Sequence, residues 1–138
     1  MKRKSIVVAI LILGFVAAGW ATEVPETKVV AYYFYTSYRC SSCYKIEQYT
    51  KEALEKYFSD DFKSGKLVYK PLNIESEVNQ HFVKDYQLYS KSVVISMVNG
   101  GKEIRHKNLT KIWEYLRDKE QFYDYIKTET AQYLSEAK

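Results

Sequence analysis

Residues 38–44 read Tyr38-Arg39-Cys40-Ser41-Ser42-Cys43-Tyr44 and hold the chain's two cysteines. Positions three apart share a helix face, which brings two sulfurs within bonding reach. Such a pair can cycle between dithiol and disulfide, supply half of a metal site, or act as a staple. A staple here closes a loop of only four residues. The loop-entropy model gives that roughly 2 kcal/mol, less than a bridge between distant cysteines. Structural zinc normally takes four ligands. The chain adds only His81 and His106, in the polar and charged stretches Gln80-His81-Phe82 and Arg105-His106-Lys107, with no second paired motif. No metal site is therefore expected, although capture of a soft ion by the two thiols stays open.

The redox chemistry depends on where the pair sits. Val29 to Tyr35 is a continuous β-branched and aromatic run, which predicts a strand buried on both faces. From Ser41 the period changes: Ile46, Tyr49, Ala53 and Tyr57 recur at helical spacing beside Thr50, Leu54 and Phe58, ending near Ser59. Cys40 thus falls at a helix N-terminus, where unpaired N–H groups and the dipole favour a thiolate. Arg39 adds a neighbouring positive charge. Cys43 lies one turn in and more buried. That is the arrangement of an attacking and a resolving thiol.

The remaining elements complete a layered pattern. Lys66 to Ile74 reads as a second strand; Pro71 lacks an N–H, which places it at or near a sheet edge or in a bulge. Val78 to Tyr86 reads as a helix with Phe82 and Val83 as contacts. Val93 to Val98 reads as a third strand, Asn99-Gly100-Gly101 as a hairpin turn, and Lys102 to His106 as a fourth strand. Leu109, Ile112, Trp113 and Leu116 suggest a short helix. Asp118 with Gln121 resembles a capping box opening the last one, built on Phe122, Tyr125, Ile126 and Tyr133. The expected fold is α/β, ordered β-α-β-α-β-β-α, a central mixed sheet flanked by helices. The first two strands join through a helix, so they should be parallel with a right-handed crossover, and the last pair, a hairpin, should be antiparallel.

The N-terminus reads as a targeting segment. Lys2, Arg3 and Lys4 precede the apolar run Ile6 to Val16, and Ala17 to Ala21 offers small residues for cleavage. Residues 1–21 are expected to be a secretory signal, 22–27 a linker and 28–138 the domain. The alternative is a retained anchor, the only membrane attachment expected, although the run is short of the roughly 20 residues of a span. Either way the domain is expected outside the cytoplasm, periplasmic or secreted. The full chain has 21 basic and 17 acidic residues; without the first three cations the balance is 18 to 17. No clustered basic face remains, which argues against nucleic acid as a partner.

From Val29 onward the chain resembles the thioredoxin superfamily. The resemblance rests on the strand, Cys-x-x-Cys and helix unit, on Gly65-Lys66-Leu67 with Leu72-Asn73-Ile74-Glu75, and on Tyr86 to Val94 followed by Asn99-Gly100. More narrowly, it is similar to the nitrophenyl compound nitroreductase subunit ArsF family. The similar strings are Arg39-Cys40-Ser41-Ser42-Cys43, Lys45-Ile46-Glu47, Tyr49 to Leu54, His81 to Tyr89, Lys91 to Val94, and Lys111-Ile112-Trp113-Glu114. That resemblance implies an accessory role to a nitroreductase, while the chain itself shows no flavin or nicotinamide motif. The only cofactor expected is the redox-active Cys40–Cys43 disulfide.

Departures from the family shape the remaining expectations. Ser41-Ser42 replaces Gly-Pro, and their hydroxyls could hydrogen-bond the Cys40 thiolate, which makes the disulfide more oxidising. Ser92 falls where the family places its cis-proline. A cis bond there would cost about 2.5–4 kcal/mol, so a trans bond is expected. Lys91, Ser92 and Val93 form the expected substrate loop. Phe34 occupies the place of the family's buried Asp, leaving Glu47, Lys45 or water as substitutes. The leading expectation is an exported thiol–disulfide oxidoreductase, its partner a protein dithiol or disulfide in a membrane or periplasmic redox system. The alternatives are a non-catalytic accessory subunit, or a dithiol binder of Zn(II), Cu(I) or As(III).

Overall fold

A computed structural model describes residues 26–137. The expected signal, and the expected linker up to residue 25, lie outside the described residues. Strand β1 (Thr27–Tyr35) is central because it is apolar on both faces. Val29, Ala31 and Tyr33 point into the main core, whereas Tyr32 and Phe34 join a smaller cluster on the opposite face. β1 pairs in parallel with β2 (Leu67–Asn73) and antiparallel with β3 (Ser92–Asn99). β3 then pairs antiparallel with β4 (Lys102–Asn108), giving the order β2-β1-β3-β4. Gly100 and Gly101 both take positive φ in the hairpin turn, where glycine avoids a Cβ clash. β2 is an edge strand, which accommodates Pro71.

Helices α1 (Ser41–Tyr57) and α4 (Lys119–Glu136) lie side by side over the main core. α1 buries Cys43, Ile46, Thr50, Ala53 and Leu54, a stripe at helical spacing. α4 starts at Asp118, whose side chain accepts from the Gln121 N–H at 3.1 Å. A polar clasp joins the two helices: the Tyr123 hydroxyl donates to Glu52, and Lys119 Nζ lies 3.0 Å from the same carboxylate. The resulting architecture is the α/β one expected, a mixed four-stranded sheet flanked by helices.

Three elements differ from expectation in detail. Phe58 breaks the first helix, and a short α2 (Ser59–Lys63) follows. The segment expected as a helix over 78–86 is a 3-10 turn at Glu77–Asn79 and then the five-residue α3 (His81–Asp85). The one i, i+4 pair within so short a helix is His81 and Asp85, 2.9 Å apart, and its apolar contact is Phe82 stacked on the C-cap residue Tyr86 at 5.4 Å. Val83 falls outside it and is 38% exposed, so it is not the expected apolar contact. The short helix expected after β4 is two 3-10 turns, Thr110–Ile112 and Tyr115–Arg117. They still bury Leu109, Ile112 and Leu116, because spacings of three and four suit either helix type.

Candidate active site

The polypeptide leaves β1 at Tyr35 and reaches α1 through Thr36–Arg39, a loop tied to the end of β2. Ser37 N–H donates to Glu75 Oε2 at 2.8 Å, Asn73 Nδ2 donates to Ser37 Oγ at 3.2 Å, and Ile74 N–H donates to the Tyr35 carbonyl at 2.9 Å. The Ser37 contacts, aided by the Lys91 charge, hold the Glu75 carboxyl below the usual range. The loop therefore delivers Cys40 to the helix start in a fixed position.

Cys40 is the N-cap of α1, partly exposed, and Cys43 is buried; both are free thiols. The Cys40 N–H donates to Cys43 Sγ at 3.2 Å. The Cys40 thiol is held below its ordinary range, first by the hydrogen bond from the Cys43 side chain and then by the Cys43 backbone N–H. The backbone N–H groups of Cys40 and Ser42 add to this, while desolvation opposes it. Ser42 thus acts through its amide, and no hydrogen bond from either serine hydroxyl reaches Cys40 among the described residues. Cys40 is thus the more exposed of the two sulfur-bearing residues, with Cys43 buried behind it.

Arg39 lies elsewhere than a simple neighbour of Cys40. Its guanidinium rests over the Tyr35 and Tyr44 rings, at 4.5 and 4.3 Å from their centroids, and pairs with Glu47. The Arg39 and Glu47 side chains are only 16% and 27% exposed. The positive charge beside the dithiol is thus matched by a carboxylate one turn further along α1. Beneath them the fully buried Tyr33 donates its hydroxyl to the Cys43 carbonyl at 2.7 Å. Burial pushes the Tyr33 phenol up to about 12, so it stays protonated as a donor at neutral pH.

Of the expected substrate loop only Lys91 lies outside a strand, because Ser92 and Val93 open β3 and pair with β1. Lys91 Nζ lies 6.0 Å from the Tyr38 ring, two residues before Cys40. Ser92 is buried, pairs with Phe34 across the sheet, and follows a trans peptide bond. Val93 turns into the main core. Phe34 belongs to the opposite cluster. Lys45 is exposed on α1, with Nζ 5.9 Å from the Tyr49 ring. The two histidines are occupied far from the sulfurs in sequence: His81 Nδ1 lies 2.9 Å from Asp85, and His106 Nδ1 lies 2.9 Å from Glu103.

Two contributors were not read from the sequence. Tyr33 was hidden within an apolar run, since alternation does not show which ring carries a hydrogen bond. Trp113 read only as a helix contact, but its indole N–H donates to the Lys91 carbonyl at 3.1 Å.

No protein-family model matches the chain, and no curated protein matches it. Solved structures similar to it include a thioredoxin from Fasciola hepatica, at 18% identity over 67% of this chain and 81% of that one, TM-score 0.39. Thioredoxin f2 from Chlamydomonas reinhardtii is similar at 13% identity over 70% and 82%, TM-score 0.40. The oxidised thioredoxin of Plasmodium falciparum is similar at 15% identity over 65% and 79%, TM-score 0.39.

Proposed function

We propose that the chain is an exported thiol–disulfide oxidoreductase using Cys40 and Cys43. The observation that carries this reading is the partly exposed Cys40 at the start of α1, its thiolate favoured by the Cys43 thiol and by backbone N–H groups. The Cys40 thiolate attacks a partner disulfide. One Cys40–partner S–S bond forms, and the other partner sulfur leaves as a thiolate. Cys43 then gives up its proton and attacks the Cys40 sulfur. The Cys40–Cys43 disulfide forms and the second partner thiolate departs. Two electrons pass to the partner, and the reverse sequence oxidises a partner dithiol.

The finer reading places the domain outside the cytoplasm and gives it a protein partner in a membrane or periplasmic redox system, such as a nitroreductase. It rests on the N-terminal charge and apolar pattern and on the sequence resemblance. The test is a Cys43→Ser variant expressed in cells. Mixed disulfides with a partner are expected to accumulate on Cys40. Absence of adducts, in a wild-type pair that also fails to cycle with dithiothreitol, would overturn the proposal.

A further inference from the structure

Cys43 must reach the Cys40 sulfur to close the disulfide, and a disulfide tolerates only a narrow range of main-chain separations. Both ends of Cys43 are held. Its Sγ accepts the Cys40 N–H at 3.2 Å, and its carbonyl accepts the Tyr33 hydroxyl at 2.7 Å. A carbonyl can accept two donors, so the Tyr33 bond adds to the helical one within α1. Among the described residues it is the one side-chain hydrogen bond from β1 to α1. Tyr33 is a rigid post for it: the residue is fully buried in the main core and stacks on Tyr35 at 5.9 Å. Arg39, paired with Glu47, stands 5.7 Å from the Tyr33 ring centre, and its charge makes the phenol a stronger donor.

We propose that Tyr33 is a positioning residue for the closing step: its hydroxyl fixes the Cys43 main chain, so that Cys43 is aimed at the Cys40 sulfur in advance. With glutathione disulfide as the oxidant, the Cys40 thiolate first forms a mixed disulfide and one glutathione leaves as its thiolate. Cys43 Sγ then bonds Cys40 Sγ, the Cys40–glutathione bond breaks, and the second glutathione departs as its thiol with the Cys43 proton. Only this second step needs Cys43 in place, because a held reactant supplies effective concentration. The inference rests on the oxidoreductase reading above and assigns a residue to its second step.

The experiment compares wild type with Tyr33→Phe, which keeps the buried ring and removes the hydroxyl. Acid-quenched mass spectrometry follows two rates: attack on glutathione disulfide in a Cys43→Ser background, and closure of the mixed disulfide in the two-cysteine protein. Closure is expected to slow roughly threefold to tenfold in Tyr33→Phe, the worth of one hydrogen bond, while attack stays within about twofold. The reduction potential against glutathione should become less negative by about 14–30 mV, the same factor at about 30 mV per tenfold. Ile126→Val, a change at a fully buried site on α4 with a similar cost to stability, should move neither rate. Closure within about twofold of wild type, an unmoved potential, or attack and closure slowed alike overturns the assignment. So does an Ile126→Val variant that slows closure as much as Tyr33→Phe does. A wild-type Cys40 that forms no mixed disulfide overturns the oxidoreductase reading, and this one with it.

Discussion

Replacing Glu47 by alanine should cost the reduced protein about 2–3 kcal/mol. Exposed ion pairs are worth about 0–1 kcal/mol, whereas breaking a buried one costs about 3–5 kcal/mol. Arg39 and Glu47 lie between these limits, at 16% and 27% side-chain exposure. Loss of the carboxylate leaves a nearly buried guanidinium with the rings of Tyr33, Tyr35 and Tyr44 as neighbours but no matching charge. At the size of this domain the midpoint of thermal unfolding should fall by about 10 °C. Urea unfolding of Glu47→Ala, Arg39→Ala and the double variant should give a coupling energy of about 1–2 kcal/mol. The same pair predicts a chemical effect. With the guanidinium matched by Glu47, Arg39→Met should leave the Cys40 thiol close to its wild-type titration, and Glu47→Gln should lower it further. Ultraviolet thiolate titration reads both. A Glu47→Ala variant within about 0.5 kcal/mol of wild type, or a Cys40 thiol that rises strongly in Arg39→Met, would refute the reasoning.

Ser42→Ala should leave the Cys40 titration unchanged, because the residue acts through its amide, whereas Ser42→Pro should raise it; proline is tolerated in a first helical turn. Glu52 is held at about 2, first by the Tyr123 hydroxyl, then by Gln48 and Lys119. Because its folded value is depressed, its contribution is complete above the unfolded value of about 4.3 and is lost as pH falls toward 2. Urea midpoints between pH 6 and 2 should therefore fall less steeply in Glu52→Gln. Ile46→Ala, at a fully buried site, should cost about 2–5 kcal/mol in urea unfolding, while Tyr89→Ala, 94% exposed, should change stability by about 0.5 kcal/mol or less.

Much of the frame was legible because strong local signals agreed with the tertiary packing. The unbroken run at Val29 to Tyr35 read as a strand buried on both faces and is interior to the sheet, and of the edge or bulge that Pro71 implied the sheet has the edge. Asp118 and Gln121 located the start of α4 to the residue. The elements that departed are short: α3 and the two 3-10 turns span five and three residues, too few for a helical period to show. At the site, the helix-capping position of Cys40 followed from the change of period. What could not be read was the direction of long side chains. Arg39 adjoins Cys40 in sequence, yet its charge goes to Glu47 and two tyrosine rings. Ser42 offers both a hydroxyl and an amide to the thiolate, and only backbone geometry selects the amide.

The central claim is that Cys40 and Cys43 form a working redox pair. The most direct measurement is their reduction potential at equilibrium with glutathione, taken together with the Cys40 titration. A thiolate favoured in the reduced state predicts reversible exchange and a potential less negative than about −270 mV, the value typical of thioredoxin, with a depressed Cys40 titration. A pair that does not exchange, or a potential below about −300 mV as in structural disulfides, would contradict it.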